Sequence, residues 1–181
     1  MTTAASPLIN PKDIALGKAI IIDARGGPDA FQRYQAGHLK GAIYADLDTD
    51  LSQKPADAAF GGRHPLPDIT AFTTFVGTLG ISPESDVIVY DDKNGANAAG
   101  RFWWMMRALG HKNIKVVDGG LDAIIRDGLP MEPGDEKPTS TKPYPAEAWT
   151  MPTVEIDAVQ VAVKSPDALV IDVREGYRYR G

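Results

Sequence analysis

The chain has 181 residues and a formal net charge of −5. Hydrophobic residues make up 43% of it and charged residues 24%, a balance typical of soluble globular proteins. An acidic chain lacks the basic surface that nucleic-acid binding needs, so no nucleic-acid partner is expected. There is no cysteine, which excludes disulfides, thiolate metal sites and a thiol nucleophile among these residues.

The N-terminal segment carries neither the basic region nor the apolar run of a secretory signal. No apolar stretch reaches the length of about 20 residues that a membrane-spanning helix needs. We therefore expect a soluble, cytoplasmic protein with no membrane partner.

Short apolar runs alternate with helical patterns from residue 1 to residue 130. Continuous apolar runs predict strands buried on both faces at residues 19–23, 42–45, 87–90 and 114–117. Capping residues and apolar spacing predict helices from Asp68 to Gly80, from about residue 96 to Gly110, and through residues 121–125. Strands that alternate with helices predict an α/β fold, an open, mostly parallel sheet flanked by helices on both faces.

The composition changes after Leu129. Six prolines fall between residues 130 and 152, and proline fixes φ and lacks an N–H donor, so residues 131–152 are predicted to form an extended linker. The earlier pattern then restarts. A helical segment at residues 158–163 precedes an apolar run, residues 168–172, that is predicted to be a strand.

The restart has the form of an internal repeat. The apolar run that leads to Asp23 and Arg25 has a counterpart that leads to Asp172 and Arg174, and each copy continues into arginine and tyrosine residues. Chance similarity is the alternative, because short apolar strands that end in Asp are common in α/β proteins. A second copy that stops at Gly181 is too short to bury a core, so we expect the natural protein to be longer. The predicted organisation is a domain at 1–130, a linker at 131–152 and the truncated start of a second domain at 153–181.

Several segments resemble the tandem-domain rhodanese family, the thiosulfate and 3-mercaptopyruvate sulfurtransferases. A strand ending in Asp23-Ala24-Arg25 and then residues 33–42 (RYQAGHLKGA) resemble the family's D-x-R and G-H-[IL]-x-G-A signature. Residues 61–67 (GGRHPLP) are similar to a loop of the first domains. Residues 87–95 stand where the family has its active-site loop, and residues 116–120 resemble the strand and turn that follow.

The resemblance implies transfer of a sulfane sulfur from thiosulfate or 3-mercaptopyruvate to a thiophilic acceptor such as cyanide, through a cysteine persulfide. No cofactor and no metal are implied. The partners implied are the small-molecule donor and acceptor and the C-terminal rhodanese domain of the same protein. In the family, a loop of backbone N–H groups at a helix N-terminus stabilises the thiolate and the anionic substrate.

Asp91 stands at the cysteine-equivalent position of the first domain. A carboxylate cannot hold a sulfane sulfur, and it would fill the anion cradle itself. The resemblance therefore implies that this chain contains no catalytic residue and is inactive by itself. It also implies that the catalytic cysteine lies in the missing C-terminal domain. It also implies that Arg178 binds substrate, because a guanidinium pairs with sulfonate or carboxylate oxygens; Arg174 and Arg180 lie close by in the sequence.

Asp91 and the three histidines can also have structural roles, and the chain as a whole can have a binding function. Asp91 can simply accept N–H bonds from the following helix. We expect His38 to fix a turn, His64 to have a structural or interface role, and His111 to meet the end of a helix. A non-catalytic rhodanese-like binding or regulatory module is the alternative function, and Asp91 and the lack of cysteine motivate it.

Overall fold

The structure is a computed structural model that describes residues 6–57, 62–174 and 176–180. The chain divides into two compact units, Met1–Thr150 and Met151–Gly181. Gly61, in the predicted GGRHPLP loop, lies outside the described residues.

Five parallel strands form the central sheet of the first unit, in the order β1-β6-β5-β2-β4. The strands are β1 (Leu8–Ile9), β2 (Ile20–Asp23), β4 (Ala42–Tyr44), β5 (Val87–Tyr90) and β6 (Ile114–Val117). The four apolar runs are thus confirmed as strands. The edge strand β1 was not predicted, because two residues carry no periodic pattern.

Helices cover both faces of this sheet, which confirms the predicted fold class. They are α1 (Ala30–Ala36), α2 (Ile69–Thr78), α3 (Ala98–Ala108) and α4 (Gly120–Arg126). Successive strand residues point to opposite faces: Ile22 packs in the core formed with α2 and α3, whereas Ile21 packs in the core that contains Ile124 of α4. Asp68 caps α2 as predicted, since its Oδ1 accepts the N–H of Thr70 at 2.8 Å.

A small antiparallel sheet joins β3 (His38–Leu39) to β7 (Met131–Glu132). The Glu132 side chain also accepts the N–H of Gly41 at 2.7 Å. The first residues of the predicted linker therefore pair with the first unit.

The rest of the proline-rich segment also packs on the first unit. Residues 139–150, here called the strap, contain no helix or strand and run along α2 and α3. Tyr144 is 6% exposed, and its N–H donates to the carbonyl of Thr73 at 2.9 Å. The Trp149 ring lies 5.5 Å from the Phe72 ring, between centroids. Buried aromatic side chains thus attach this segment to the first unit.

The contact between α2 and the strap predicts a steric effect at Gly77. A Cβ at Gly77 would lie 2.6 Å from the carbonyl oxygen of Lys142, a backbone atom that cannot rotate away. We expect Gly77→Ala to lower the free energy of unfolding by about 1–3 kcal/mol in urea. The control is Gly100→Ala in α3, where the added Cβ would meet its nearest neighbour, the Gly95 oxygen, at 3.5 Å. That change should leave stability unchanged or raise it by up to about 1 kcal/mol, and equal losses in both variants would contradict the assignment.

His111 links the end of α3 to the strap. Its Nδ1 lies 3.1 Å from the Tyr144 hydroxyl, and burial lowers the pKa of the imidazole. The folded state therefore favours neutral His111. Its stabilising effect is complete above the unfolded pKa of about 6.5 and is lost as the pH falls below that value.

This direction of the His111 pKa shift predicts a pH dependence of stability. We expect the free energy of unfolding to decrease from about pH 7 to pH 5.5, and His111→Gln to reduce that slope. Urea unfolding at several pH values, followed by tryptophan fluorescence, measures it. An unchanged slope in His111→Gln would assign the pH dependence to other groups.

The described residues of the second unit, 151–174 and 176–180, form two helices, α5 (Ile156–Val163) and α6 (Gly176–Arg180). The predicted helix is confirmed in α5. The predicted strand at 168–172 is wrong for this structure, since the described part of this unit contains no strand. A strand needs a neighbour for its backbone N–H and C=O groups, and the apolar side chains here are exposed, such as Leu169 at 83% and Ile171 at 70%.

Among the described residues, no helix is long and apolar enough to cross a membrane.

Candidate functional site

The site lies at the carboxyl ends of β2 and β5. From β2 the chain continues to β4 on one side of the sheet and then to β5 and β6 on the other, so the strand order reverses between β2 and β5. Ligands of open α/β sheets bind at such a reversal. Asp23, the last residue of β2, pairs in register with Tyr90, the last residue of β5, and Asp91 follows directly.

The loop between β5 and α3 wraps around the Asp91 carboxylate. Oδ1 accepts the N–H groups of Lys93 at 2.9 Å and Gly95 at 2.8 Å. Oδ2 accepts those of Asn97 and Ala99, both at 3.0 Å. We call these four donors the cradle. Because they converge at the N-terminus of α3, they suit a negative charge, and the chain's own carboxylate occupies them.

Two turns hold the cradle in shape. Asn94 and Gly95 have φ angles of 58° and 78°, and these left-handed conformations direct successive N–H groups inward. The turn at the start of α4 closes over the loop: the Leu121 N–H donates to the Asp91 carbonyl at 2.8 Å, and a Cβ at Gly120 would lie 2.5 Å from that oxygen. The sequence placed Gly120 in a turn and Gly95 in the loop that resembles the family's active-site loop, but it did not predict the contact of either with Asp91.

Asp23 and Arg25 form a buried charge pair beside the cradle. The Arg25 Nε lies 3.0 Å from both carboxylate oxygens of Asp23, and Nη2 lies 2.6 Å from Oδ2. The Arg25 N–H also donates to Asp23 Oδ1 at 3.1 Å. We call this arrangement the fork. Asp23 is 0% exposed and Arg25 3%, so the two charges depend on each other for compensation.

The fork reaches the strand that leads into the cradle. Asp23 and Tyr90 are neighbours in register on β2 and β5, and burial, together with the Asp23 charge, raises the pKa of Tyr90 well above its usual value. The Tyr90 hydroxyl accepts the N–H of Leu39 at 3.0 Å, while Arg25 Nη2 donates to the Gly37 carbonyl at 3.0 Å. The fork thus ties the end of β2, the turn before β3 and the end of β5 together.

A second ion pair involves the loop between β5 and α3. Arg33 in α1 places Nη2 3.1 Å from Asp92 Oδ2 and donates from the same nitrogen to the Gly26 carbonyl at 2.9 Å. Arg33 is therefore neutralised by the residue next to Asp91. The sequence grouped Arg33 with the family signature but gave no partner for it.

The second unit repeats the fork. The Arg174 Nε lies 2.9 Å from Oδ1 and 2.8 Å from Oδ2 of Asp172, and Nη2 also pairs with Oδ2. The Arg174 N–H donates to Asp172 Oδ1 at 2.9 Å, as in the first copy. The hydrogen bond from Arg174 lowers the pKa of Asp172 to about 2.

The three arginines near the predicted substrate position have different surroundings. Arg174 is committed to Asp172, whereas Arg178 lies in α6, is exposed, and has no hydrogen-bond or ion-pair partner within residues 6–57, 62–174 and 176–180. Arg180 is exposed on the same helix. The assignment of substrate binding to Arg178 stays a prediction.

The remaining histidines have local partners. His38 is buried, its Nδ1 lies 2.9 Å from the Tyr34 carbonyl, and its ring stacks on Tyr34 at 4.1 Å, which confirms the predicted turn-fixing role. His64 Nε2 lies 2.8 Å from Asp48 Oδ1, and Lys54 pairs with the same carboxylate at 2.9 Å. The interface role considered for His64 stays a prediction.

A profile of the rhodanese-like domain matches residues 8–127. The chain belongs to this family. It is 36% identical over 151 residues to a probable 3-mercaptopyruvate sulfurtransferase of Pseudomonas aeruginosa, covering 82% of this chain and 51% of that protein. It is 31% identical over 159 residues to the mouse 3-mercaptopyruvate sulfurtransferase, covering 86% and 50%.

A solved relative has the same fold. The structure of 3-mercaptopyruvate sulfurtransferase from Leishmania major superposes with a TM-score of 0.72 at 33% identity, over 96% of this chain and 48% of that one. The chain therefore spans about half the length of the relatives it matches. The match covers the rhodanese-like unit and its cradle, in which Asp91 supplies the anion.

Proposed function

We propose that this chain is the non-catalytic first half, with the beginning of the catalytic second half, of a cytoplasmic tandem sulfurtransferase. The observation that carries the proposal is the Asp91 carboxylate in the cradle, where the family resemblance expects a cysteine. A carboxylate there cannot accept sulfur, so the reaction belongs to a second copy. The repeated fork at Asp172 and Arg174 supports such a copy.

The proposed reaction takes place on a cysteine thiolate of the C-terminal domain. The thiolate attacks the sulfane sulfur of thiosulfate, a sulfur–sulfur bond forms, and sulfite leaves with the electron pair of the broken bond. Cyanide then attacks the outer sulfur of the persulfide, forms thiocyanate and regenerates the thiolate. With 3-mercaptopyruvate as donor, the thiolate attacks the donor's sulfur, the carbon–sulfur bond breaks, and the enolate of pyruvate leaves with the electron pair and takes up a proton, so the same persulfide forms and pyruvate is released. Arg178 would bind the anionic oxygens of the donor.

In this proposal the first unit has a supporting role. Its cradle is already occupied by the Asp91 carboxylate, so a dianionic donor meets a negative charge there and is repelled. Its partner is the C-terminal domain of the same protein, and the small-molecule donor and acceptor bind in that domain.

The experiment is a pair of assays on the native full-length protein and on the 181-residue chain. We expect thiocyanate formation from thiosulfate or 3-mercaptopyruvate with the full-length protein and none with the chain. Intact mass spectrometry of protein from its native source accompanies the assays. A native mass near 19.4 kDa without activity would favour the alternative, a rhodanese-like binding or regulatory module, which the occupied cradle also suits.

A further inference from the structure

The two forks are nearly identical in geometry but opposite in environment. Backbone N to Oδ1 is 3.1 Å in the first copy and 2.9 Å in the second, and Nε approaches both carboxylate oxygens within 3.0 Å in each. The first fork is buried. In the second, the Arg174 side chain is 51% exposed and that of Asp172 24%. The Asp-x-Arg pattern, with the two residues two positions apart, therefore forms the fork in the second unit even though the pair is largely exposed there.

An exposed charge pair contributes little to stability, so the second fork is of little use in the 181-residue chain. The first fork indicates what the arrangement does once it is buried. There Asp23 pairs in register with Tyr90 at the end of β5, and Tyr90 directly precedes Asp91, the residue that the cradle binds. It also holds the turn at Gly37 through Arg25 Nη2, at 3.0 Å.

We propose that Asp172 is a positioning residue of the catalytic copy: by holding Arg174, it supports the strand end that carries the nucleophilic cysteine. This inference rests on the proposed function. In the complete second copy the fork is buried, as Asp23 and Arg25 are, and its guanidinium contacts the residue before the cysteine. Arg174 therefore supports the loop, and Arg178 is left to bind the donor.

The charge of Asp172 gives this role a distinctive signature. A carboxylate near a thiol disfavours the thiolate, whereas an uncompensated guanidinium favours it. Asp172→Asn leaves Arg174 without its counter-charge, so the thiolate should form at lower pH. The same change loosens the fork, so the sulfur-accepting geometry is held less well. A purely structural residue would reduce the amount of folded enzyme but would not move the pH profile.

The test uses the full-length protein and counts competent sites by the sulfite burst from thiosulfate without acceptor. For Asp172→Asn we expect kcat per competent site to fall by about tenfold. The KM for thiosulfate should stay within about twofold, because Arg178 is unchanged. The acid limb of kcat/KM should move to lower pH.

Two further variants complete the test. Asp172→Glu keeps the charge but lengthens the side chain, so it should lower kcat and leave the acid limb in place; it also serves if Asp172→Asn does not fold. Asp122→Asn, at an exposed position of α4, should match the wild type. Wild-type kcat and pH profile in folded Asp172→Asn would overturn the positioning role alone. Absence of a sulfite burst in the wild-type full-length protein would overturn the proposed function, and this inference with it.

Discussion

Replacing Asp23 by Ala is expected to lower the free energy of unfolding by about 3–5 kcal/mol, because it leaves the buried Arg25 charge without its partner. Asp23 is 0% exposed and Arg25 3%, and the Arg25 Nε and Nη2 both bond to the carboxylate. Water cannot reach the guanidinium to replace the lost bonds. Urea unfolding followed by tryptophan fluorescence measures the effect, since Trp103, Trp104 and Trp149 all belong to the first unit.

Two companion variants identify the cause of that loss. Lys54→Met breaks an exposed pair with Asp48, whose side chains are 53% and 42% exposed, and should cost less than about 1 kcal/mol. The double variant Asp23→Ala with Arg25→Met removes both charges and should be more stable than Asp23→Ala alone. If the double variant were no more stable than Asp23→Ala, the two charges would not depend on each other.

Replacing Asp91 by Ala is expected to have the next largest effect, a loss of about 3 kcal/mol or more in the free energy of unfolding. The change removes the acceptor of four backbone N–H groups at the site, and unpaired buried donors each cost about 1–3 kcal/mol unless water or an ion replaces the acceptor. Urea unfolding again provides the measurement.

Two further variants separate the loss of the hydrogen-bond acceptor in the cradle from the loss of a negative charge. Asp91→Asn keeps the shape but offers two donors in place of one acceptor, so it should also destabilise the fold. Asp122→Asn removes an exposed carboxylate of α4 and should change stability by less than about 0.5 kcal/mol. Asp91→Ala with the stability of the wild type would mean that the four N–H groups find other acceptors and that the carboxylate is not their ligand.

The sequence identified the strands and helices whose signals are local. The run at 87–90 is apolar because both faces of β5 are covered, and Asp68 lies at the start of α2 because a carboxylate caps free N–H groups. The absence of cysteine and the presence of Asp91 also needed no structure, because a nucleophile is a property of one side chain.

Contacts between residues distant in the sequence could not be predicted from local sequence patterns. The strands β1, β3 and β7 have two residues each, and such strands exist only because a neighbour pairs with them. The strap was predicted as a linker because proline sets its backbone, but the burial of Tyr144 against the first unit depends on residues distant in the sequence. The predicted strand at 168–172 shows the converse: the local signal is strong, but no neighbouring strand pairs with it.

The sequence by itself determined the parallel α/β architecture, the repeated Asp-x-Arg pattern and the lack of a sulfur nucleophile, because each depends on residues within a few positions of one another. Only the tertiary structure decided that Asp91 binds four N–H groups of its own loop, and that the fork of the first unit lies against Tyr90. The physical reason is that a hydrogen bond to the cradle or to the fork depends on which strand ends the fold brings together.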